Sequence, residues 1–254
     1  MINWKNPLSV LALASMASFT TLAQQSPIGV GSPPGWNAAM TRLFGDFKAF
    51  TANAELRVLD RAGRESITLP MNFALLDRKV RMDIDMSQLK GPQVPPEQIA
   101  ELKRLAMDRL ACVILPDAQM TEIIFPALTA YVEMPLPQEE VAALNRNFKM
   151  DKNPLGQEAI DGHPCAKNRV RMTDEQGQKM EFIVWSAADL KDFPIQAQMN
   201  DGGTTVVIRY KNVQLARPDA KQFDPPRGYT KHKDIVQLME AATKRRGTNT
   251  PKKK

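Results

Sequence analysis

Few residues of this 254-residue chain have the types and spacing that chemistry requires, and His163 and Cys165 are the first of them. An imidazole and a thiol two residues apart can both bind metal, but a structural zinc site needs four ligands and no others cluster nearby in the sequence. The only other histidine is His232. We therefore expect no metal and interpret His163 as a turn residue; an enzyme would need Asp161 and Tyr131 to converge with it.

Catalytic sequence motifs are absent as well. The chain has no Gly-x-Ser-x-Gly, no glycine-rich phosphate loop followed by lysine and no His-Glu-x-x-His. Asp83 and Asp85 share one strand face and could form a carboxylate pair, but the basic neighbours Lys79 and Arg81 favour a solvated charged face. We expect no catalytic residues, no cofactor and no enzyme activity.

Methionine is the unusual component, with fourteen in the chain. Met82 and Met86 share a strand face, and Met180 precedes Phe182 and Val184 on another. Thioether side chains are flexible and polarisable, so they suit irregular core gaps or varied apolar ligands. The pattern leaves two interpretations open, a methionine-filled core and a concave apolar surface that holds an acyl chain. Binding of Cu(I) would need methionine pairs at short spacing, which are absent.

The N-terminus has the three parts of a secretory signal peptide in order. Lys5 gives a positive start, Leu8–Leu22 is an apolar run, and small residues follow up to Ala23. The apolar run is shorter than the roughly twenty residues that span a bilayer, although an uncleaved anchor remains the alternative. No cysteine follows the cleavage region, so no thiol is available there for lipid attachment. We predict a signal peptide at residues 1–23, cleavage near Ala23, and a free, soluble, periplasmic protein.

Export also bears on Cys112 and Cys165, the only two cysteines of the chain. An even number of cysteines in an oxidising compartment favours a disulfide. A disulfide between them would close a loop of about fifty residues, which would stabilise the fold by roughly 4 kcal/mol in the entropic description. The spacing is not Cys-x-x-Cys, so a redox pair is not expected. We predict a structural disulfide between Cys112 and Cys165.

The net charge of +6 comes from the C-terminal tail. The tail residues that contribute six positive charges are Lys244, Arg245, Arg246, Lys252, Lys253 and Lys254. The rest of the chain is neutral, which argues against nucleic acid as a partner. Such a tail is usually solvated, and its functional alternative is peripheral contact with an anionic membrane surface, at about 1 kcal/mol per basic residue.

Hydrophobic periodicity predicts mainly β structure. In Lys79–Met86 apolar and charged residues alternate, which is typical of a strand with one dry face. Helices are predicted at Pro95–Asp108, Gln138–Asn147 and Ile235–Arg246. We expect a proline- and glycine-rich linker and N-terminal segment at residues 24–43, a β domain at 44–232, and a C-terminal helix and basic tail at 233–254. About ten antiparallel strands should form one strongly curved sheet, with two or three helices as a plug or lid.

Five segments resemble the outer-membrane lipoprotein carrier superfamily of the LolA and LolB type, most closely a domain-of-unknown-function branch. They are Lys79–Met86, Ala130–Pro135, Ile160–Cys165, Trp185–Ile195 and Phe223–Tyr229. Each is short, but their order and spacing cover most of the chain from Phe44 to Tyr229.

The resemblance implies a half-open, unclosed β-barrel over a helical plug, with an apolar cavity between them. In the carriers this cavity takes up the acyl chains of lipoproteins. The helix at Pro95–Asp108 would then belong to the lid. The side chains expected to line the cavity are Phe73, Met82, Ile84, Met86, Met120, Tyr131, Met180, Phe182 and Val184.

These observations favour a non-enzymatic periplasmic protein that binds a lipid, an acyl chain or another hydrophobic ligand on the concave face of its sheet. A lipid, an acyl chain or a lipoprotein is the partner that this implies, and we expect a monomer. The alternative is a structural or interaction module of the cell envelope, with a filled core and no ligand.

Overall fold

The computed structural model describes residues 36–92, 94–201 and 203–248. The strands in this part of the chain are β1 (Ala49–Leu59), β2 (Glu65–Leu76), β3 (Lys79–Asp85), β4 (Arg109–Leu115), β5 (Met120–Phe125), β6 (Ala130–Pro135), β7 (Phe148–Ile160), β8 (His163–Asp174), β9 (Lys179–Ala187), β10 (Phe193–Asp201), β11 (Thr204–Gln214) and β12 (Thr230–His232). The helices are α1 (Trp36–Leu43), α2 (Pro96–Arg104), α3 (Gln138–Asn145) and α4 (Ile235–Thr248). The predicted signal peptide and the end of the basic tail lie outside the described residues. No helix within the described ranges is both long enough and apolar enough to cross a membrane.

All twelve strands belong to one sheet, in the order β12-β6-β5-β4-β3-β2-β1-β11-β10-β9-β8-β7. Every neighbouring pair is antiparallel except β12 and β6, which are parallel. The two end strands, β12 and β7, do not pair with each other, so the sheet stays open. The predicted fold class, a mainly β protein with a curved, half-open antiparallel sheet, is confirmed.

The curvature follows from the composition of the main hydrophobic core. One buried cluster contains Cys112 of β4 and Val170 of β8, although six strands lie between these two in the sheet. The same cluster contains Ala39 and Met40 of α1. The rings of Phe50 on β1 and Phe193 on β10 lie 4.8 Å apart although β11 lies between these strands, so the sheet curls toward the side on which α1 packs.

An aromatic group fills the middle of this concave side. Its five rings are those of Phe44, Phe50, Phe73, Phe193 and Tyr210, all buried. Phe50 lies 4.8 Å from Phe44 and 4.8 Å from Phe193, measured between ring centroids, and stacks on Phe73 at 5.5 Å. Such edge-to-face and offset contacts stabilise a core beyond simple area burial.

The predicted disulfide is wrong for this structure, because Cys112 and Cys165 are both free and buried. They lie on β4 and β8, which are separated in the sheet by six strands. Cys112 stands opposite Met82 and Ile123 in the sheet. The thiol of Cys165 donates to the carbonyl of His163 at 3.3 Å. An even number of cysteines says nothing about where the fold places them, and a disulfide needs Cα atoms within about 7 Å.

Both thiols are expected to be free but slow to react. Burial raises the pKa of Cys112 to about 12 and also raises the pKa of Cys165, so little of the reactive thiolate forms at neutral pH. Iodoacetamide should modify the native protein slowly and modify both cysteines after denaturation without a reductant. The measurement is mass spectrometry of both samples. If iodoacetamide failed to modify both cysteines in denaturant, a disulfide between them would be indicated, contrary to the structure.

Candidate hydrophobic site and its polar mouth

Helices α1 and α3 lie together over the concave face of the sheet. The amide of Ala38 in α1 donates to Oε1 of Glu140 in α3 at 2.8 Å. The guanidinium of Arg42 donates to the carbonyls of Leu144, at 3.2 Å, and Arg146, and its carbon lies 4.9 Å from the ring centre of Phe148. These polar contacts fasten the short helix α1 to α3 and the residues that follow it.

Beneath the helices is an inner cavity of about 40 Å³. Its lining residues are Met40, Thr41, Phe44, Leu56, Met71, Phe73, Arg78, Val80, Met82, Ile114, Pro116, Glu140, Leu144, Ile208 and Tyr210. Most of these side chains are apolar. For comparison, a cavity of about 150 Å³ can hold benzene. The concave side is therefore nearly filled in this form, and an acyl chain would need α1 or α3 to move.

An outer pocket of about 370 Å³ opens to solvent beside the inner cavity. Its lining residues are Ala38, Thr41, Arg42, Arg78, Leu144, Asn145 and Asn147. Thr41, Arg78 and Leu144 line both spaces, so the two are adjacent. Together they form an apolar interior with a polar mouth.

The charges at the mouth are those of Arg42 and Arg78. Partial burial lowers the pKa of Arg42, and the positive charge of Arg78 lowers it further. Nη1 of Arg78 lies 2.6 Å from Oδ1 of Asp117, and both side chains are at least half exposed. Glu140 is the acid among the residues that line the inner cavity.

Most of the predicted cavity residues lie on the concave side. Phe73 and Met82 line the inner cavity. Ile84, Phe182 and Val184 are buried in the same core cluster without lining that cavity. Met86 and Met180 are only partly buried and pack against the cluster. The structure thus places these seven side chains in or against the main core cluster, and their contact with a ligand stays a prediction.

Met120 and Tyr131 lie on the opposite face of the sheet. Met120 stands opposite Leu115, and Tyr131 stands opposite Ile124. Leu115 and Tyr131 pack against a separate cluster with Phe223 on the convex side. The structure does not bring Met120 and Tyr131 to the cavity. Glu122 and Glu133 lie on this same convex face, but β5 and β6 carry large apolar side chains on both faces, so Met120 and Tyr131 were assigned to the wrong one.

The helix expected in the lid, at Pro95–Asp108, is α2 and the turn after it. Leu105 and Met107 pack in a second cluster with β5, β6 and α4. No residue of this segment lines the inner cavity. Within the described part of the chain, α1 and α3 cover the cavity instead.

Sequence reasoning missed several lining residues. Met40 and Phe44 are four residues apart, which is the spacing of one helical face, but they fall in or next to a segment predicted as a linker. Ile208 and Tyr210 continue the alternation of β11 and could have been found from it. Arg78 lies in the two-residue turn between β2 and β3 and carries no sequence signal for its position at the pocket.

The three residues of the enzymatic hypothesis are not brought together. Nδ1 of His163 lies 2.7 Å from Oδ2 of Asp189, and Asp161 accepts from Arg209 at 3.4 Å. Tyr131 is on β6, which eight strands separate from β8 in the sheet. Among the described residues, no group of three or more His, Cys, Asp or Glu side chains could hold a metal ion.

On the convex face, Glu122 is an unusually buried acid. Oε2 of Glu122 is buried without a hydrogen-bond partner among the described residues. Burial raises the pKa of Glu122 to about 7, and the negative charges of Glu133 and Asp224 contribute. In the unfolded chain a glutamate titrates near pH 4.3. The folded protein therefore binds one more proton than the unfolded chain between about pH 4.3 and 7.

Stability should consequently fall as the pH rises through that window. Relative to Glu122→Gln, the wild type should lose about 1–2 kcal/mol of unfolding free energy between pH 4.5 and pH 8. Urea denaturation of both proteins at several pH values measures this difference. The control is Glu97→Gln, which replaces an exposed acid on α2 and should follow the wild type. Parallel profiles for the wild type and Glu122→Gln would contradict the prediction.

Comparison with known proteins gives similarity to solved structures alone. No protein-family model and no curated protein matches the chain. A LolA superfamily protein from Nitrosomonas europaea is 11% identical, with a TM-score of 0.33, covering 76% of this chain and 98% of that one. The Mycobacterium tuberculosis lipoprotein LppX is 8% identical, with a TM-score of 0.38, covering 72% and 97%.

A third structure is that of a putative outer membrane lipoprotein-sorting protein domain from Vibrio parahaemolyticus. It is 13% identical, with a TM-score of 0.29, covering 75% of this chain and 96% of that one. The matched structures thus include a member of the superfamily that the sequence segments resemble. Because these TM-scores are all below 0.5, we argue function from the residues of this chain.

Proposed function

We propose that this protein is a non-enzymatic protein of the cell envelope that binds an acyl chain or another hydrophobic ligand between its concave sheet face and helices α1 and α3. The observation that carries the proposal is the apolar inner cavity next to an open polar mouth. An apolar lining with a few polar groups at one end is the usual form of a small-molecule site. The export signal predicted at residues 1–23, which lie outside the described residues, would place the protein in the periplasm.

The ligand would take the place of side chains in and just after α1. Met40 of α1 and Phe44 just after it occupy the concave face in this form. Helix α1 has eight residues, and a helix of this length is not stable by itself in water. Its position depends on docking, so a small shift of α1 can withdraw Met40 and Phe44 and let an acyl chain bury similar apolar area, while Arg42 stays bonded to the carbonyls of Leu144 and Arg146.

The direct test is binding of a neutral apolar fluorophore, N-phenyl-1-naphthylamine, together with solvent extraction of the purified protein. We expect a saturable rise in fluorescence with one site per chain, and an extracted lipid that competes for that site. A protein that yields no lipid and gives no fluorescence gain would contradict the proposal.

The alternative is a structural or interaction module with a filled core. The small volume of the inner cavity, about 40 Å³, favours it. Such a module would bind neither the fluorophore nor dodecanol, and its thermal midpoint would stay constant as dodecanol is added. A ligand-binding protein would instead gain stability with ligand concentration, because ligand binds the folded state.

A further inference from the structure

We infer that the ligand of this site is a single-chain amphiphile with an anionic headgroup, held in the outer pocket by Arg42 and Arg78 while its chain enters the inner cavity. The inference rests on the proposed function and names the class of ligand that the same site selects. It comes from the lining of the outer pocket, which no sequence motif indicated.

The lining of the outer pocket contains two arginines, other polar side chains and no acid. Its charged lining residues are Arg42 and Arg78, and its amides are those of Asn145 and Asn147. Guanidinium groups match the geometry of carboxylate and phosphate oxygens and can bind them through two parallel hydrogen bonds. A cationic or neutral headgroup would supply no negative charge to Arg42, whereas an anionic one would.

Arg42 has donors to spare. One of its nitrogens, Nη2, donates to the carbonyls of Leu144 and Arg146. No carboxylate of the described residues lies within ion-pair distance of Arg42. The charge of Arg78 also acts unfavourably on Arg42. A bound anion would relieve this repulsion and accept from the remaining donors.

The acids nearby do not compete strongly with such a headgroup. Oε1 of Glu140 accepts from the Ala38 amide near the start of α1, and Glu140 lines the inner cavity, not the outer pocket. The side chain of Asp117, the partner of Arg78, is 77% exposed. Exposed ion pairs are weak because solvent screens them, so an anionic headgroup can displace Asp117.

The direction of the ligand follows from the shared lining. Thr41, Arg78 and Leu144 border both the outer pocket and the inner cavity. A headgroup between Arg42 and Arg78 therefore places the first methylenes of its chain at the entrance to the apolar space. The two spaces meet at this one boundary, which suits a single chain.

The test compares dodecanoate with dodecanol on the full chain, by displacement of N-phenyl-1-naphthylamine at pH 8 and low salt. Hydrogen bonds between a guanidinium and a carboxylate are roughly twice as strong as neutral ones, so dodecanoate should bind about tenfold or more tightly than dodecanol. Arg78→Gln should remove most of this preference, because it should weaken the binding of dodecanoate far more than the binding of dodecanol. Dodecyltrimethylammonium should bind more weakly than dodecanol.

The matched control is Arg109→Gln, which removes another exposed arginine, 3.5 Å from Asp85. It should keep the wild-type preference for dodecanoate. If dodecanol and dodecanoate bind with equal affinity, or if Arg78→Gln keeps the preference, the inference is overturned and the proposed function stands. If neither dodecanol nor the fluorophore binds, the proposed function itself fails.

Discussion

Replacing Phe50 with Ala is expected to lower the free energy of unfolding by about 3–5 kcal/mol. Phe50 has 0% exposure and lies at the centre of the aromatic group. Its ring contacts those of Phe44, Phe73, Phe193 and Tyr210. Removing it loses apolar burial and leaves a cavity that strands β1, β2 and β10 cannot close. Urea denaturation followed by circular dichroism measures the loss.

The control for this change is Met150→Ala on β7. Met150 is 41% exposed, so its removal should change the unfolding free energy by no more than about 0.5 kcal/mol. A loss below about 1 kcal/mol for Phe50→Ala would mean that the five rings do not pack as one group. The packing of Phe44, just after α1, against the concave face would then need another explanation.

The second large effect is expected on ligand binding. Ile208 lines the inner cavity from β11, and Ile208→Phe would place a ring in the space that the chain must enter. The affinity for N-phenyl-1-naphthylamine should fall about tenfold or more, equivalent to at least about 1.4 kcal/mol. Fluorescence titration measures it.

Val206→Phe is the matched control for Ile208→Phe. Val206 is on the same strand and belongs to the same core cluster, but it does not line the cavity. Both variants should lose about 1–3 kcal/mol of stability through overpacking. Equal affinities in the two variants would show that the fluorophore does not use the inner cavity.

The sequence allowed the sheet to be predicted because most of its strands carry the signal themselves. In β3 every second residue is buried, as the alternation of Lys79–Met86 predicted. Helix α3 begins at Gln138 as expected, after Pro137. The expected ten strands became twelve, since the short β12 pairs with β6 over only three residues and has no pattern of its own.

Other features depend on contacts that no local pattern contains. Most of strand β7 has no alternating pattern, because its residues from Lys149 to Ala159 are exposed and include Pro154. Proline is tolerated there since β7 is an edge strand and pairs only with β8. Helix α1 was missed because its small buried residues, Ala38 and Ala39, give a weak apolar pattern.

The candidate site was predicted in part for the same reason. Phe73 and Met82 follow from strand alternation, which places them on the concave face. The mouth at Arg42 and Arg78 depends on α1 lying beside the turn after β2, a juxtaposition that only the tertiary structure produces. Nothing in the spacing of these two arginines, 36 positions apart in the chain, indicates that they meet.

The most direct test of the central claim is photolabelling with a dodecanol that carries a diazirine on its chain, followed by peptide mass spectrometry. We expect label in the peptides that contain the cavity-lining residues Met71, Met82 and Ile208, with loss of that label when unmodified dodecanol competes. Label confined to Met120 on the convex face or to exposed Met150, or label that dodecanol does not compete away, would contradict a ligand site on the concave face.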